Sequence, residues 1–124
     1  MKEVYCQDGE AFTGAMSFIV SLLIRYPELA TLKLNPEDSS LIFSLIFRYK
    51  FSPEEKKSFR EEIKMSLETL AALERVEPQS IEVSFRRQDD LSFVEIKRDL
   101  ATFSPEELPL VLKIIDRHYA PYLI

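Results

Sequence analysis

The sequence predicts an α+β fold in which an N-terminal helix is followed by two tandem ββα units. A pentapeptide, Phe-Ser-Pro-Glu-Glu, occurs at Phe51–Glu55 and again at Phe103–Glu107. Each copy follows two segments with strand-like alternation, and each opens a segment with helical periodicity. We therefore expect a four-stranded antiparallel sheet with helices packed on one face.

The N-terminal part of the chain contains the most apolar helical pattern. A short strand is one interpretation of Glu3–Cys6, and a helix is expected from Gly9 to Tyr26. Polar residues recur every four positions along it and form a stripe of about 120°, so the apolar remainder needs cover on more than one side. Pro27 ends the helix. The stripe consists of Thr13, Ser17, Ser21 and Arg25.

The first hairpin is predicted from two alternating segments, Leu29–Leu34 and Ser39–Phe51. Asn35–Asp38 has the composition of a turn, and a loop of these four residues places Leu34 opposite Ser39. The second segment carries a continuous apolar face, which is expected to point towards the helices. This face consists of Leu41, Phe43, Leu45, Phe47, Tyr49 and Phe51.

The first pentapeptide has the features of a helix start. Ser52 is expected to be the N-cap, Pro53 the first helical residue, and Glu55 the partner in a capping box. The helix is predicted to continue to about Val76. Its inner stripe is expected to contain Phe59, Ile63, Leu67, Leu70, Ala71 and Leu73.

The second hairpin is predicted from Ser80–Arg87 and Leu91–Arg98. A two-residue loop at Asp89–Asp90 places Glu82 opposite Lys97, whereas a four-residue loop places two glutamates opposite each other. Charge pairing favours the short loop. Turn preference favours the longer one, since Asp-Asp is a poor primed turn. We favour the short loop.

The second pentapeptide is expected to behave differently because Pro109 follows Ser104 by five residues, where it would interrupt a helix. The pentapeptide is therefore expected to form one turn. The main helix should restart near Leu108 with Pro109 at its first position, and Pro121 should end it. Its inner stripe is predicted as Leu108, Val111, Leu112, Ile115 and Tyr119, with Ile114 off the stripe.

The length of 124 residues fits a single α+β domain, 1–124. The units 29–76 and 80–122 suggest an internal repeat. Ser-Pro-Glu-Glu is also what helix starts select, so duplication and convergent capping are both open interpretations. Six side chains are expected to share the core: Phe43, Phe47, Phe59, Leu67, Val83 and Ile115.

The composition disfavours several function classes. A net charge of −5 opposes non-specific binding to nucleic acid. With only two glycines, the sequence contains no phosphate-binding loop and no dinucleotide-binding fingerprint. The apolar stretch around Ala15–Ile24 is too short to span a bilayer, and the acidic residues before it are unlike a secretion signal, so we expect a cytoplasmic protein. We expect no cofactor, and no acidic pair has the spacing of a calcium loop.

No catalytic site is assigned. His118 is the only histidine and Cys6 the only cysteine, and no surrounding motif nominates either as catalytic. Basic residues with Phe93 on the outer sheet face resemble a nucleic-acid surface, but Glu82 and Glu95 among them favour a mixed-charge, solvated face. These basic residues are Arg48, Lys50, Arg86 and Lys97.

The favoured function is a non-enzymatic protein–protein interaction or regulatory module that forms a homodimer, because the apolar surface exceeds what one subunit covers. One alternative is a regulatory domain that binds a small apolar ligand between sheet and helices. Another is a small enzyme that uses His118 or a carboxylate. The predicted interface consists of Phe12, Met16, Ile19, Leu23, Ile42 and Ile46.

Overall fold

The computed structural model describes residues 3–6 and 20–124. The α+β class predicted from the sequence is confirmed. Residues 20–25 are helical, and Ala120–Tyr122 form a short 3₁₀ turn. The remaining elements in chain order are β1 (Glu3–Cys6), β2 (Thr31–Asn35), β3 (Ser40–Phe47), α1 (Pro53–Leu73), β4 (Ile81–Gln88), β5 (Leu91–Asp99) and α2 (Glu107–His118).

The sheet has the strand order β1-β2-β3-β5-β4. Strands β2, β3, β5 and β4 form the predicted antiparallel sheet of four strands. Strand β1 adds a fifth strand, parallel to β2. The chain leaves β3, passes through α1 to the edge strand β4, and returns as β5 in the interior of the sheet.

The register of the first hairpin differs from the prediction by two residues. Leu34 lies opposite Leu41 rather than Ser39, and Asn35 lies opposite Ser40. The turn therefore begins one residue later, with Ser39 at a φ of 51°. A shift of two residues keeps every side chain on the same face of the sheet, so the apolar side chains of the two strands still lie on one face.

The second hairpin has the favoured short loop. Glu82 lies opposite Lys97 and Gln88 opposite Leu91, with Asp89–Asp90 as the turn. Asp89 has a φ of 55°, which aspartate tolerates better than most residues. The charge-pairing argument therefore predicted this register correctly.

Strand β3 is shorter than predicted, because it ends at Phe47 rather than Phe51. Its last partner in β5 is Ser92. On its other edge, the backbone N–H of Arg48 donates to Tyr122 O at 2.8 Å and that of Ile124 to Ile46 O at 2.9 Å. The C-terminal residues thus extend the sheet where β2 has ended.

The core lies between the helices and one sheet face, which we call the inner face. All six side chains predicted to share the core are buried in it. Leu22 and Leu23 of the helical residues 20–25 join the same cluster. The inner-face residues of the cluster are Leu32, Leu34, Leu41, Phe43, Leu45, Phe47, Val83, Val94 and Ile96.

Helix α1 begins as predicted and ends earlier. The capping box is complete, with Glu55 N donating to Ser52 Oγ at 3.1 Å and Ser52 N donating to Glu55 Oε1 at 2.9 Å. The helix ends at Leu73 rather than Val76, and Arg75 takes a φ of 60°. Leu73 is 78% exposed, so its place in the inner stripe was wrong. Two residues beyond Ala71, it lies on the far side of the helix.

Helix α2 follows one turn of the second pentapeptide, as predicted. It starts at Glu107, so Pro109 occupies the third position rather than the first. Proline is tolerated there because first-turn N–H groups have no intrahelical acceptor. Ile114 is 2% exposed, against the prediction, because α2 packs on α1 as well as on the sheet and buries a broader face.

None of the helices in the described ranges is long and apolar enough to cross a membrane.

Candidate functional site

The sheet face opposite the helices, the outer face, is the surface on which the sequence placed part of an interface. Strand alternation directs every second side chain to it, and the strand register aligns these side chains in rows. The first row is Lys33, Ile42, Lys97 and Glu82, the second is Thr31, Ser44, Glu95 and Ser84, and the third is Ile46, Phe93 and Arg86.

The apolar side chains of the outer face include Ile42, Ile46 and Phe93, and all three are partly exposed. Ile46 and Phe93 are direct cross-strand neighbours. The guanidinium of Arg86 lies 4.3 Å from the ring centroid of Phe93, a cation–π contact. The outer face therefore presents a small apolar patch with a cation at its edge.

The charged side chains of the outer face carry both signs. Lys97 Nζ lies 3.1 Å from Asp38 Oδ2, and Ser40 Oγ donates to Asp38 Oδ1 at 2.6 Å. Hydrogen bonds from Ser40 and then Lys97 lower the pKa of Asp38. Glu82 lies beside Lys97 in the register, so neither sign dominates this surface.

The predicted interface residues fall in three environments. Phe12, Met16 and Ile19 lie outside the described residues. Leu23 is 5% exposed and packs inside the core of its own subunit. Ile42 and Ile46 lie on the outer face. The structure thus brings two of the six together on one surface.

His118 is at the end of α2, where its side chain is 46% exposed. Its Nε2 atom lies 3.4 Å from Glu62 Oε1 of α1, a partner that the sequence did not nominate. Arg117 Nη1 lies 3.3 Å from the other oxygen of the same carboxylate. Both contacts join the end of α2 to the middle of α1 at the surface. Cys6 lies in β1, far along the chain from this pair.

Within residues 20–124 and strand β1, no group of three or more His, Cys, Asp or Glu residues has the geometry to hold a metal ion.

Arg98 is the centre of a buried polar cluster that the sequence reasoning missed. It occupies an inward position at the end of β5 and is 1% exposed. Its Nε donates to Glu107 Oε1 at 2.7 Å and its Nη2 to Glu107 Oε2 at 3.1 Å, a bidentate pair. Nη1 donates to Asp99 Oδ1 and Ser80 O, each at 2.5 Å. Nη2 also donates to Thr102 O at 3.1 Å.

The electrostatics of this cluster favour its charged state. Burial opposes the charge on Arg98, but the hydrogen bonds and charges of Glu107 and Asp99 raise the pKa of Arg98 overall. Burial also opposes ionisation of Asp99, yet hydrogen bonds from Thr102, Ser80 and Arg98 lower the pKa of Asp99 to about 2. The cluster joins the sheet to the start of α2 and is a structural feature of the core. The sequence signal that could have identified this inward position is the alternation of Arg98 with Val94 and Ile96.

An open cleft of about 350 Å³ lies beside α2 and the C-terminal residues. Its wall is partly apolar, with Tyr26, Leu112, Ile115 and Leu123, but Glu28 and Lys113 also line it. The volume is at the lower end of the range for small-molecule sites, roughly 300–1,000 Å³. A small apolar ligand, the alternative function considered from the sequence, would bind in this cleft.

Comparison of the chain with known protein families, with characterised proteins and with solved structures found no match.

Proposed function

We propose that the chain is a non-enzymatic, cytoplasmic interaction module that forms a homodimer through the outer face of its sheet. The observation that carries the proposal is the contrast between the two sheet faces. The helices bury most of the inner face, whereas Ile42, Ile46 and Phe93 remain partly exposed on the outer face. An apolar patch with a polar rim is the usual anatomy of a docking surface.

The charge pattern supports a second copy of the chain as the partner. Lys33 and Lys97 share the outer face with Glu82 and Glu95. In a two-fold dimer each residue meets the same surface of the other copy, so a face with both signs can pair with itself. A surface of one sign would repel its copy. The proposed interface also includes Phe12, Met16 and Ile19, on the basis of the sequence pattern alone.

Light scattering coupled to gel filtration tests the proposal at tens of micromolar protein. The wild type should be a dimer, and a variant with Ile42→Glu and Ile46→Glu should weaken dimerisation by about 100-fold or more, because two charges would be buried unpaired. Met65→Glu is the matched control. Met65 is exposed on α1, away from the sheet, and its substitution should leave the dimer intact.

Two results would contradict this proposal. A monomeric wild type would exclude self-association. A dimer that survives the double substitution, with circular dichroism unchanged, would place the interface elsewhere on the subunit.

A second candidate function is binding of a small apolar ligand in the cleft between Tyr26, Leu112 and Leu123. The partly apolar wall and the size of the cleft favour it. Native mass spectrometry of the purified protein should then detect a bound ligand, and Leu112→Trp should displace it by filling the cleft. Identical masses per subunit under native and denaturing conditions would exclude a retained ligand.

A further inference from the structure

A second cleft, of about 210 Å³, lies where the first turn of α1 meets the ends of β4 and β5. Its lining includes four basic residues, Lys50, Lys56, Arg86 and Arg87, together with the hydroxyl-bearing Ser92. Among the described residues that line it there is no carboxylate. This basic cleft is notable because the chain as a whole has a net charge of −5.

The charges of the basic cleft are not neutralised within the described part of the subunit. None of its four cations takes part in an ion pair there, whereas nearby Arg48 pairs with Asp90 of the acidic turn at 3.7 Å. Like charges that converge on one concave surface repel each other and raise the local concentration of anions. The cleft therefore carries a positive local charge that attracts anions.

Arg87 is held in place by its own contacts. Its Nη1 atom donates to Tyr49 O at 3.0 Å and to Ser92 Oγ at 3.4 Å, and the Ser92 hydroxyl donates in turn to Tyr49 O. Ser92 is itself buried. These contacts use one nitrogen and leave the other guanidinium N–H groups available. A guanidinium fixed in this way can bind two oxygens of a phosphate with little further loss of entropy.

We propose that the basic cleft binds the phosphate groups of a small phosphorylated ligand, of the diphosphate type. The side-chain charges of Lys50, Lys56 and Arg87 match the charge of two linked phosphates better than that of a single carboxylate. The guanidinium of Arg86 stacks on Phe93 at the outer face and is not counted among them. The volume is below the roughly 300–1,000 Å³ of sites that enclose a drug-sized molecule, so the cleft accepts the phosphates while the rest of the ligand lies outside. Lys50 and Lys56 act as point charges, and Arg87 supplies the oriented donors.

Isothermal titration calorimetry with sodium pyrophosphate at constant ionic strength tests the site, with sodium sulfate as the reference anion. We expect saturable binding at one site per chain, tighter than that of sulfate. Arg87→Gln and Lys56→Gln should each weaken it about tenfold, which corresponds to about 1.4 kcal/mol, because each removes a charge-assisted contact with the anion. Lys64→Gln, on α1 but outside the cleft, is the matched control and should change affinity less than twofold.

Amide chemical shifts locate the binding. Pyrophosphate should shift the signals of Lys50, Arg87 and Ser92 in the wild type and in the variant with Ile42→Glu and Ile46→Glu, which separates this site from dimerisation. Absence of saturable binding, equal affinity for sulfate, or an equal loss in the Lys64→Gln control would each overturn the proposal.

Discussion

Arg98 is the side chain whose environment is most demanding, since a buried guanidinium needs both countercharges and acceptors for its N–H groups. Glu107 and Asp99 supply the charges, and Ser80 and Thr102 supply backbone oxygens. Glu107 also accepts the N–H of Ser104 at 2.9 Å. One carboxylate thus binds the end of β5 and positions the turn that precedes α2.

Substitution of Glu107 should therefore be strongly destabilising. Glu107→Ala leaves the Arg98 charge buried with only part of its partners, and we expect a loss of about 3–5 kcal/mol in the free energy of unfolding. Glu54→Ala, in the exposed first turn of α1, is the control and should cost less than about 1 kcal/mol. Urea denaturation measures both. A loss below about 1 kcal/mol for Glu107→Ala would show that water reaches Arg98 readily.

Asp99 should contribute to acid sensitivity. The pKa of Asp99 in the folded protein is about 2, below its ordinary value of 3.8, so the folded state binds this proton less readily than the unfolded state. Its stabilising contribution is complete above the ordinary value and is lost as the pH falls towards 2. Unfolding free energies measured between pH 6 and pH 2 should therefore fall less steeply in Asp99→Asn than in the wild type. Equal slopes would contradict this assignment.

The two pentapeptides show how one sequence motif serves two helix starts. Ser52 caps α1 directly, whereas Ser104 precedes α2 by three residues and accepts only a long bond, 3.4 Å, from Glu106 N. Ser52→Ala should cost about 1 kcal/mol through loss of the side-chain acceptor. Ser104→Ala should cost less. Thermal melts of both variants provide the comparison, and equal, large losses would mean that the two helix starts are equivalent.

The end of α1 contains a residue in an unfavourable conformation. Arg75 has a φ of 60°, and the N–H groups of Arg75 and Val76 bond to Ala72 O and Ala71 O in a Schellman motif. Glycine usually occupies this position because it has no Cβ. Arg75→Gly should therefore raise the free energy of unfolding by about 0.5–1 kcal/mol. Arg75→Ala keeps the Cβ and is the control; a similar gain in both variants would contradict the explanation.

At the scale of the whole molecule, the sequence correctly predicted which strand side chains face the core and how the strands of the second hairpin pair. Alternation assigned the sheet faces correctly, and the pairing of Glu82 with Lys97 selected the correct hairpin. These features depend on neighbours within one hairpin, so the sequence contains the information. The error in the first hairpin register arose because composition identified the turn without specifying which residue takes a positive φ.

Long-range partners could not be predicted in the same way. The sequence suggested a strand at Glu3–Cys6 but not that it would pair in parallel with β2. Glu107 belongs to the second pentapeptide, which was expected to form one turn, and nothing local indicated that it binds Arg98. Burial of Ile114 likewise depends on how closely α2 approaches α1. Each of these contacts joins segments whose relative position is set only by the assembled core.

Phe47 lies where the parts of the fold meet. It ends β3, pairs with Leu123 of the C-terminal segment, and contacts the rings of Phe51, Phe59 and Tyr119 edge-on. The sheet, both helical regions and the chain terminus therefore depend on one buried side chain. Its removal leaves a cavity that the surrounding rings, held by several elements, can fill only in part.

Phe47→Ala should lower the free energy of unfolding by about 3–5 kcal/mol, as large core truncations do. Because four segments share the contact, we expect the loss to appear in a single cooperative transition, with near-ultraviolet and far-ultraviolet circular dichroism melting together. Met65→Ala, an exposed substitution on α1, is the control and should change stability by about 0.5 kcal/mol or less. Two separate transitions, or a loss under about 1 kcal/mol, would show that the aromatic cluster does not couple the sheet to the helices.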